Sequence, residues 1–153
     1  MKKFLILFFG AITLWACNNA ESNKRGKDIA SNMAHQHDDE QASLTLNHGE
    51  KWKSDESTNK NVEELNATVS RFNENKNKSL ADFQATAGEL QTGLDKMIKE
   101  CRMQGADHDA LHLWLEPVLK NVNSLKTVTS EAEASKLFSE IGARINSYKQ
   151  YFE

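Results

Sequence analysis

The sequence predicts an all-α fold, an up-down-up-down four-helix bundle that follows a signal peptide and a disordered polar tether. Three observations carry this prediction. Four segments of roughly twenty residues repeat their apolar side chains at spacings of three and four, the period of a helix with one buried face. A single proline and seven glycines leave little material for tight turns. Connections of only a few residues force successive helices to run antiparallel. With 153 residues, 39% of them hydrophobic, the chain suffices for one core and not for two.

Residues 1–17 read as a targeting segment. Lys2 and Lys3 form a positive start, and Phe4 to Trp15 is an apolar run broken only by Gly10 and Thr13, too short to span a bilayer as a mature helix. It ends in Leu14-Trp15-Ala16-Cys17, which resembles the lipobox of bacterial lipoproteins, although Trp15 is bulkier than the residue usual there. The resemblance implies that Cys17 is diacylated and becomes the first mature residue, giving an anchor of two or more acyl chains. Simple secretion is the alternative. Asn18 and Asn19 follow, with no acidic residue to argue for inner-membrane retention, so the outer membrane is expected, on its periplasmic or its surface face. Loss of the two leading lysines leaves 17 basic against 22 acidic residues, near −5. That balance favours solubility and offers no basic face to nucleic acid. With Cys17 lipidated, Cys101 is the one remaining thiol and has no intramolecular disulfide partner.

Residues 18–43 are polar, with too few apolar side chains to offset the entropy of ordering. Within them His35 and His37 precede Asp38, Asp39 and Glu40, a weak, exposed site for a divalent transition metal or a chance polar run. Residues 44–56 restore hydrophobicity and are expected to form an extended lead-in whose Leu44, Leu46 and Trp52 dock on the bundle.

The bundle itself occupies residues 57–153. The first stripe is Val62, Leu65, Val69 and Phe72, with Ser54, Asp55 and Ser57 as candidate caps. Ser79 with Asp82 opens the second helix in a box-like arrangement, and Leu80, Phe83, Ala87, Leu90, Leu94, Met97 and Cys101 form its stripe. Gly105 is expected to end it and Asp107 to cap the third helix, with Leu111, Leu115, Val118, Val122 and Leu125 facing inward. Pro117 predicts a kink or a late start there, and breaking that helix would give a three-helix variant. A capping box at Ser130 to Glu133 opens the fourth, whose stripe of Ala134, Phe138, Ile141, Ile145, Tyr148 and Phe152 runs to the chain end.

The segments Asn61-Val62-Glu63-Glu64-Leu65-Asn66 and Ile145-Asn146-Ser147-Tyr148-Lys149-Gln150-Tyr151-Phe152 resemble the terminal helices of the cytochrome b562 type of periplasmic four-helix bundle. That family holds haem through a methionine on its first helix and a histidine on its last. Those positions fall on Val62 and Lys149, so the resemblance implies the fold and argues against haem, and no C-x-x-C-H is present for covalent attachment. Lys51-Trp52, Cys101-Arg102-Met103 and the His108 to His112 helix start are also similar to a group of small exported helical lipoproteins of the Bacteroidota. That similarity implies export and, loosely, metal handling.

Around the turn between the second and third helices gather Cys101, Met103, His108 and His112. Histidines four apart share one helix face and can share an ion. Antiparallel packing would bring Cys101 to a similar depth, with Met103 or Asp109 as a fourth group. Thiolate, thioether and imidazole suit Cu or Zn better than Mg or Ca, and a helix N-terminus disfavours protonated imidazole. The same residues also fit plain packing. Cys101 falls on the apolar stripe, where a free cysteine is a common small core residue. His108 lies about 60° and His112 about 100° from Leu111 around the helix, as interfacial histidines do. No nucleophile triad or phosphate loop is present, and a stripe-facing Cys101 would meet substrate poorly. The expectation is a non-catalytic envelope lipoprotein that binds Cu or Zn for sensing, buffering or handling. The alternative is a structural or interaction module whose polar faces or Trp52 contact another envelope protein.

Overall fold

The computed structural model describes residues 43–76 and 78–153, all within one compact unit, Asp39–Glu153. Cys17, His35 and His37, with the targeting segment and most of the tether, lie outside the described residues. The chain forms α1 (Glu56–Glu74), α2 (Leu80–Glu100), α3 (Gly105–Thr127), α4 (Glu131–Asn146) and a single turn, α5 (Tyr148–Tyr151). Helices α1 to α4 pack in ring order, α2 and α4 also touch across the middle, and the fold is an all-α four-helix bundle. None of the helices among the described residues is long and apolar enough to cross a membrane.

The starts of the helices follow from local chemistry. Asp55 caps α1, its carboxylate accepting from Thr58 N at 2.6 Å. Ser79 and Asp82 form a reciprocal box at α2: Ser79 N donates to Asp82 Oδ2 at 2.9 Å and Asp82 N to Ser79 Oγ at 3.3 Å. At α4 the Ser130 hydroxyl accepts from Glu133 N. Each cap satisfies backbone donors that the helix itself leaves unpaired. The apolar stripes then close the core, from Val62 to Phe72 on α1 and Phe83 to Met97 on α2. α1 and α2 approach closely because Gly93 has no side chain, and a Cβ there would stand 2.8 Å from Leu65 Cδ2. Phe72, Phe83 and Phe138 cluster with ring centroids 4.3 to 5.9 Å apart. A second cluster joins Trp114 edge-on to Tyr148, which stacks on Phe152.

Four expectations from the sequence are corrected. α2 ends at Glu100, so Cys101 is its C-cap and not part of its last turn. Gly105 does not end α2 but opens α3, at φ +64°, a left-handed conformation that costs glycine little. Asp107 therefore lies inside the first turn of α3, and the N-cap position is Gln104, whose side chain makes no capping bond. The last helix stops at Asn146, where the Ser147 hydroxyl donates to Arg144 O at 2.8 Å, before the short α5.

Residues 43–55 form the lead-in, extended except for a tight turn at Asn47–Glu50, where each residue's N donates to the other's carbonyl at 2.9 Å. Leu44 is buried and Trp52 half-buried, its Nε1 donating to Thr45 O at 2.7 Å, whereas Leu46 is 41% exposed and does not dock. Trp52 pairs in parallel with Phe152. Trp52 N donates to Tyr151 O at 2.8 Å, Glu153 N to Trp52 O at 3.0 Å and Ser54 N to Glu153 O at 3.0 Å.

Pro117 sits inside α3 without ending it. A proline lacks the N–H that would bond the carbonyl four residues back, which here is Leu113. Arg144 of α4 fills the gap: Nη2 donates to Leu113 O at 2.7 Å and Nε to Trp114 O at 3.3 Å. Trp114 Nε1 returns a bond to Arg144 O at 2.9 Å. Arg144→Ala should therefore destabilise the bundle by about 1–3 kcal/mol, the cost of leaving a shielded carbonyl unpaired. In a Pro117→Ala background, where residue 117 can bond Leu113 itself, the same change should cost clearly less. Urea unfolding of the four proteins in this cycle checks the coupling.

Candidate functional site

The turn joining α2 to α3 is held from below by α1. Asp55 Oδ2 accepts from Arg102 N at 2.6 Å while Oδ1 accepts from Thr58 N and from the Ser57 hydroxyl at 2.8 Å. Ser57 Oγ also lies 3.0 Å from Glu100 O, an alternative acceptor for its one proton, and Asn61 Nδ2 donates to Glu100 Oε2 at 2.9 Å. The Arg102 guanidinium closes the end of α2 by donating to Lys99 O and Cys101 O, each at 2.9 Å. From the lead-in, Lys53 N donates to Asp107 Oδ1 at 2.9 Å and fixes the start of α3.

These restraints place the side chains marked out by the sequence. Cys101 Sγ lies 3.8 Å from His108 Nδ1, and His108 Nε2 lies 3.0 Å from His112 Nε2. The two imidazoles meet edge to face, with centroids 4.6 Å apart. His112 Nδ1 is 3.9 Å from Glu116 Oε1. Met103 is engaged elsewhere, its Sδ accepting from Ser54 Oγ at 3.6 Å, and that hydroxyl accepts in turn from Tyr148 OH at 2.6 Å. Burial pushes the Tyr148 phenol up to about 12, so it remains a donor.

Cys101, His108 and His112 thus form a row and do not converge. His108 turns one ring nitrogen to the thiol and the other to His112, and two imidazole nitrogens point away from each other. Among the described residues no group of three or more His, Cys, Asp or Glu side chains is arranged to hold a metal ion. What converges is the pair of Nε2 atoms. An ion about 2.05 Å from both, an ordinary Zn–N length, would subtend about 95° across their separation, within reach of tetrahedral geometry after a small ring rotation. Cys101 and Glu116 would then face the opposite nitrogens, the position of groups that orient a ligating histidine.

The pair borders a small crevice of about 50 Å³ walled by Met97, Ile98, Cys101, Leu111 and Leu115. Ile98 is 50% exposed. It falls outside the apolar stripe of α2, so its sequence position already marked it as an outward-facing apolar residue. A larger groove of about 360 Å³ between α1 and α4 is floored by Phe72, Phe83 and Phe138, and it includes no His, Cys, Asp or Glu. Val62 is buried in the core, and Lys149 is exposed with its Nζ 3.4 Å from Asn59 Oδ1. Comparison of the chain with protein-family models, curated proteins and solved structures finds no match.

Asp55 was only one of three candidate caps in the sequence, and its second role at Arg102 has no local signature. Burial pushes its carboxyl up, but the bonds from Arg102, Thr58 and Ser57 outweigh that and hold it at about 2, below the ordinary 3.8. A depressed carboxyl stabilises the fold above the unfolded value and loses that contribution as pH falls through the folded one. Stability should therefore decline between about pH 4 and pH 2, less steeply in Asp55→Asn. Asp55→Ala should cost about 1 kcal/mol at neutral pH from the lost cap alone. Urea titrations across that pH range test both.

Proposed function

We propose that this chain is a lipid-anchored, non-catalytic module of the bacterial cell envelope that captures Zn or Cu at the His108–His112 pair for metal sensing, buffering or handling. The observation that carries the reading is the 3.0 Å approach of the two Nε2 atoms on one face of α3. His112 is half exposed, so an ion can reach the pair without opening the core. Imidazole suits both metals. Cys101 serves as an orienting neighbour of His108 and not as a third ligand, and Met103 takes no part. His35 and His37 would add weak capture from the tether.

Calorimetric titration of residues 39–153 with Zn(II) and Cu(II) tests the site in the absence of the tether histidines. Saturable binding should disappear in His108→Ala/His112→Ala and weaken by about 10-fold in Cys101→Ser, the range seen for groups that orient a ligand. Affinity that is negligible, or indifferent to loss of both histidines, would overturn the reading and leave an interaction module. The anchor is tested separately. In a bacterial host the full chain should incorporate radiolabelled palmitate, and Cys17→Ala should abolish both the label and membrane fractionation. An unlabelled but exported chain would point to simple secretion.

A further inference from the structure

The geometry points to a metal site shared by two copies of this chain, in which the His108–His112 pair of one copy and the same pair of a second copy enclose one Zn(II) ion. This rests on the metal reading above and extends it to the partner.

Three observations combine. The first is the ligand count. A closed zinc site almost always has four protein ligands, whereas the pair supplies two, and the described residues contain no third group arranged to join them. The second is accessibility. His112 is 51% exposed, and the part-buried His108 lies beside it along the α2–α3 crevice, so a ligand set from outside can approach the pair from the His112 side. The third is the surface beside the pair. Only two large apolar side chains among the described residues are exposed, Leu46 at 41% and Ile98 at 50%, and Ile98 is the one carried by a helix. It walls the same crevice as both histidines. An exposed apolar side chain thus stands directly beside the two histidines.

A second copy fits this surface better than water or an unrelated protein. A two-fold axis sets a patch against itself, so each chain meets the residues it presents. Placed on that axis, two bidentate imidazole pairs supply four nitrogens in crossed planes, the tetrahedral set that Zn(II) accepts. The same operation brings the two Ile98 crevices together and removes both from water. The apolar area around one isoleucine falls well short of a stable interface on its own. The ion therefore controls the association, and the chain is a monomer without it.

The test uses residues 39–153, sedimentation velocity and calorimetry. Zn(II) should convert monomer to dimer, with titration complete at one ion per two chains, and EDTA should reverse it. His108→Ala/His112→Ala should stay monomeric with unchanged helical circular dichroism. Ile98→Glu should bind zinc but dimerise about 10-fold more weakly, a loss of 1.4 kcal/mol. Binding at one ion per chain by a protein that stays monomeric would overturn the shared site and leave the metal reading intact. An absence of zinc binding would overturn the shared site, and an absence of both Zn(II) and Cu(II) binding would overturn the metal reading as well. A dimer that forms without zinc, or survives loss of both histidines, would overturn the shared site.

Discussion

One carboxylate organises the end of the bundle that carries the chemistry. Asp55 starts α1 through Thr58 N and, with its other oxygen, receives Arg102 N from the turn between α2 and α3. Beyond the Cys101 N–Met97 O bond that closes α2, the turn has no helix ladder, so bonds such as the one from Asp55 fix its path. Once Arg102 is held, Cys101 faces α3, Gly105 can reverse the chain, and His108 arrives against the thiol with His112 one turn beyond. The helices could pack by their stripes without Asp55, but the placement of the histidine row relative to α2 would be lost. The bonds of Ser54 to Met103 and to Tyr148 secure the same corner from the lead-in and from α5.

The His108–His112 pair stands apart from the apolar core. Helical bundles that hold metals commonly project their ligands into the core, where an empty site leaves buried polar groups. Here the core is closed by apolar side chains from Leu44 to Phe152, and the histidines stand outside it. A metal held by the proposed pair would therefore lie outside the apolar core, unlike the ion of small domains that are unfolded until metal arrives. On the proposed reading, gain or loss of that ion would act first on the α2–α3 face and not on the core.

Much of the fold was legible because it rests on periodicity. The stripes of α1, α2 and α4 fall where spacings of three and four put them, and Ser79 with Asp82 forms the box its sequence announces. The errors cluster where one residue type serves opposite purposes. Gly105 fits the end of one helix as well as the beginning of the next, since a left-handed glycine does either. Trp114, fully buried, was passed over beside Leu115 because the apolar face of α3 is wide enough to take both. Pro117 predicts a kink or a late start because its remedy, Arg144, lies 27 positions away. For the site, spacing placed His108 and His112 on one face, but it says nothing about which ring nitrogen turns where. That choice separates a row from a cluster.

The pairing of Trp52 with Phe152 bears on how the bundle carries load. The lead-in enters at residue 43 and runs parallel to the chain at Phe152, joined by the bonds from Trp52 N, Glu153 N and Ser54 N. The lead-in reverses at the Asn47–Glu50 turn before it reaches these bonds, and only tension along the Trp52–Ser54 direction would load them together in shear. A perpendicular pull would break them one at a time. The buried Leu44, and Trp52 bonded to Thr45 O, would take up force before it reached Asp55. These bonds couple the entry to α1 mechanically to the last residues of the chain.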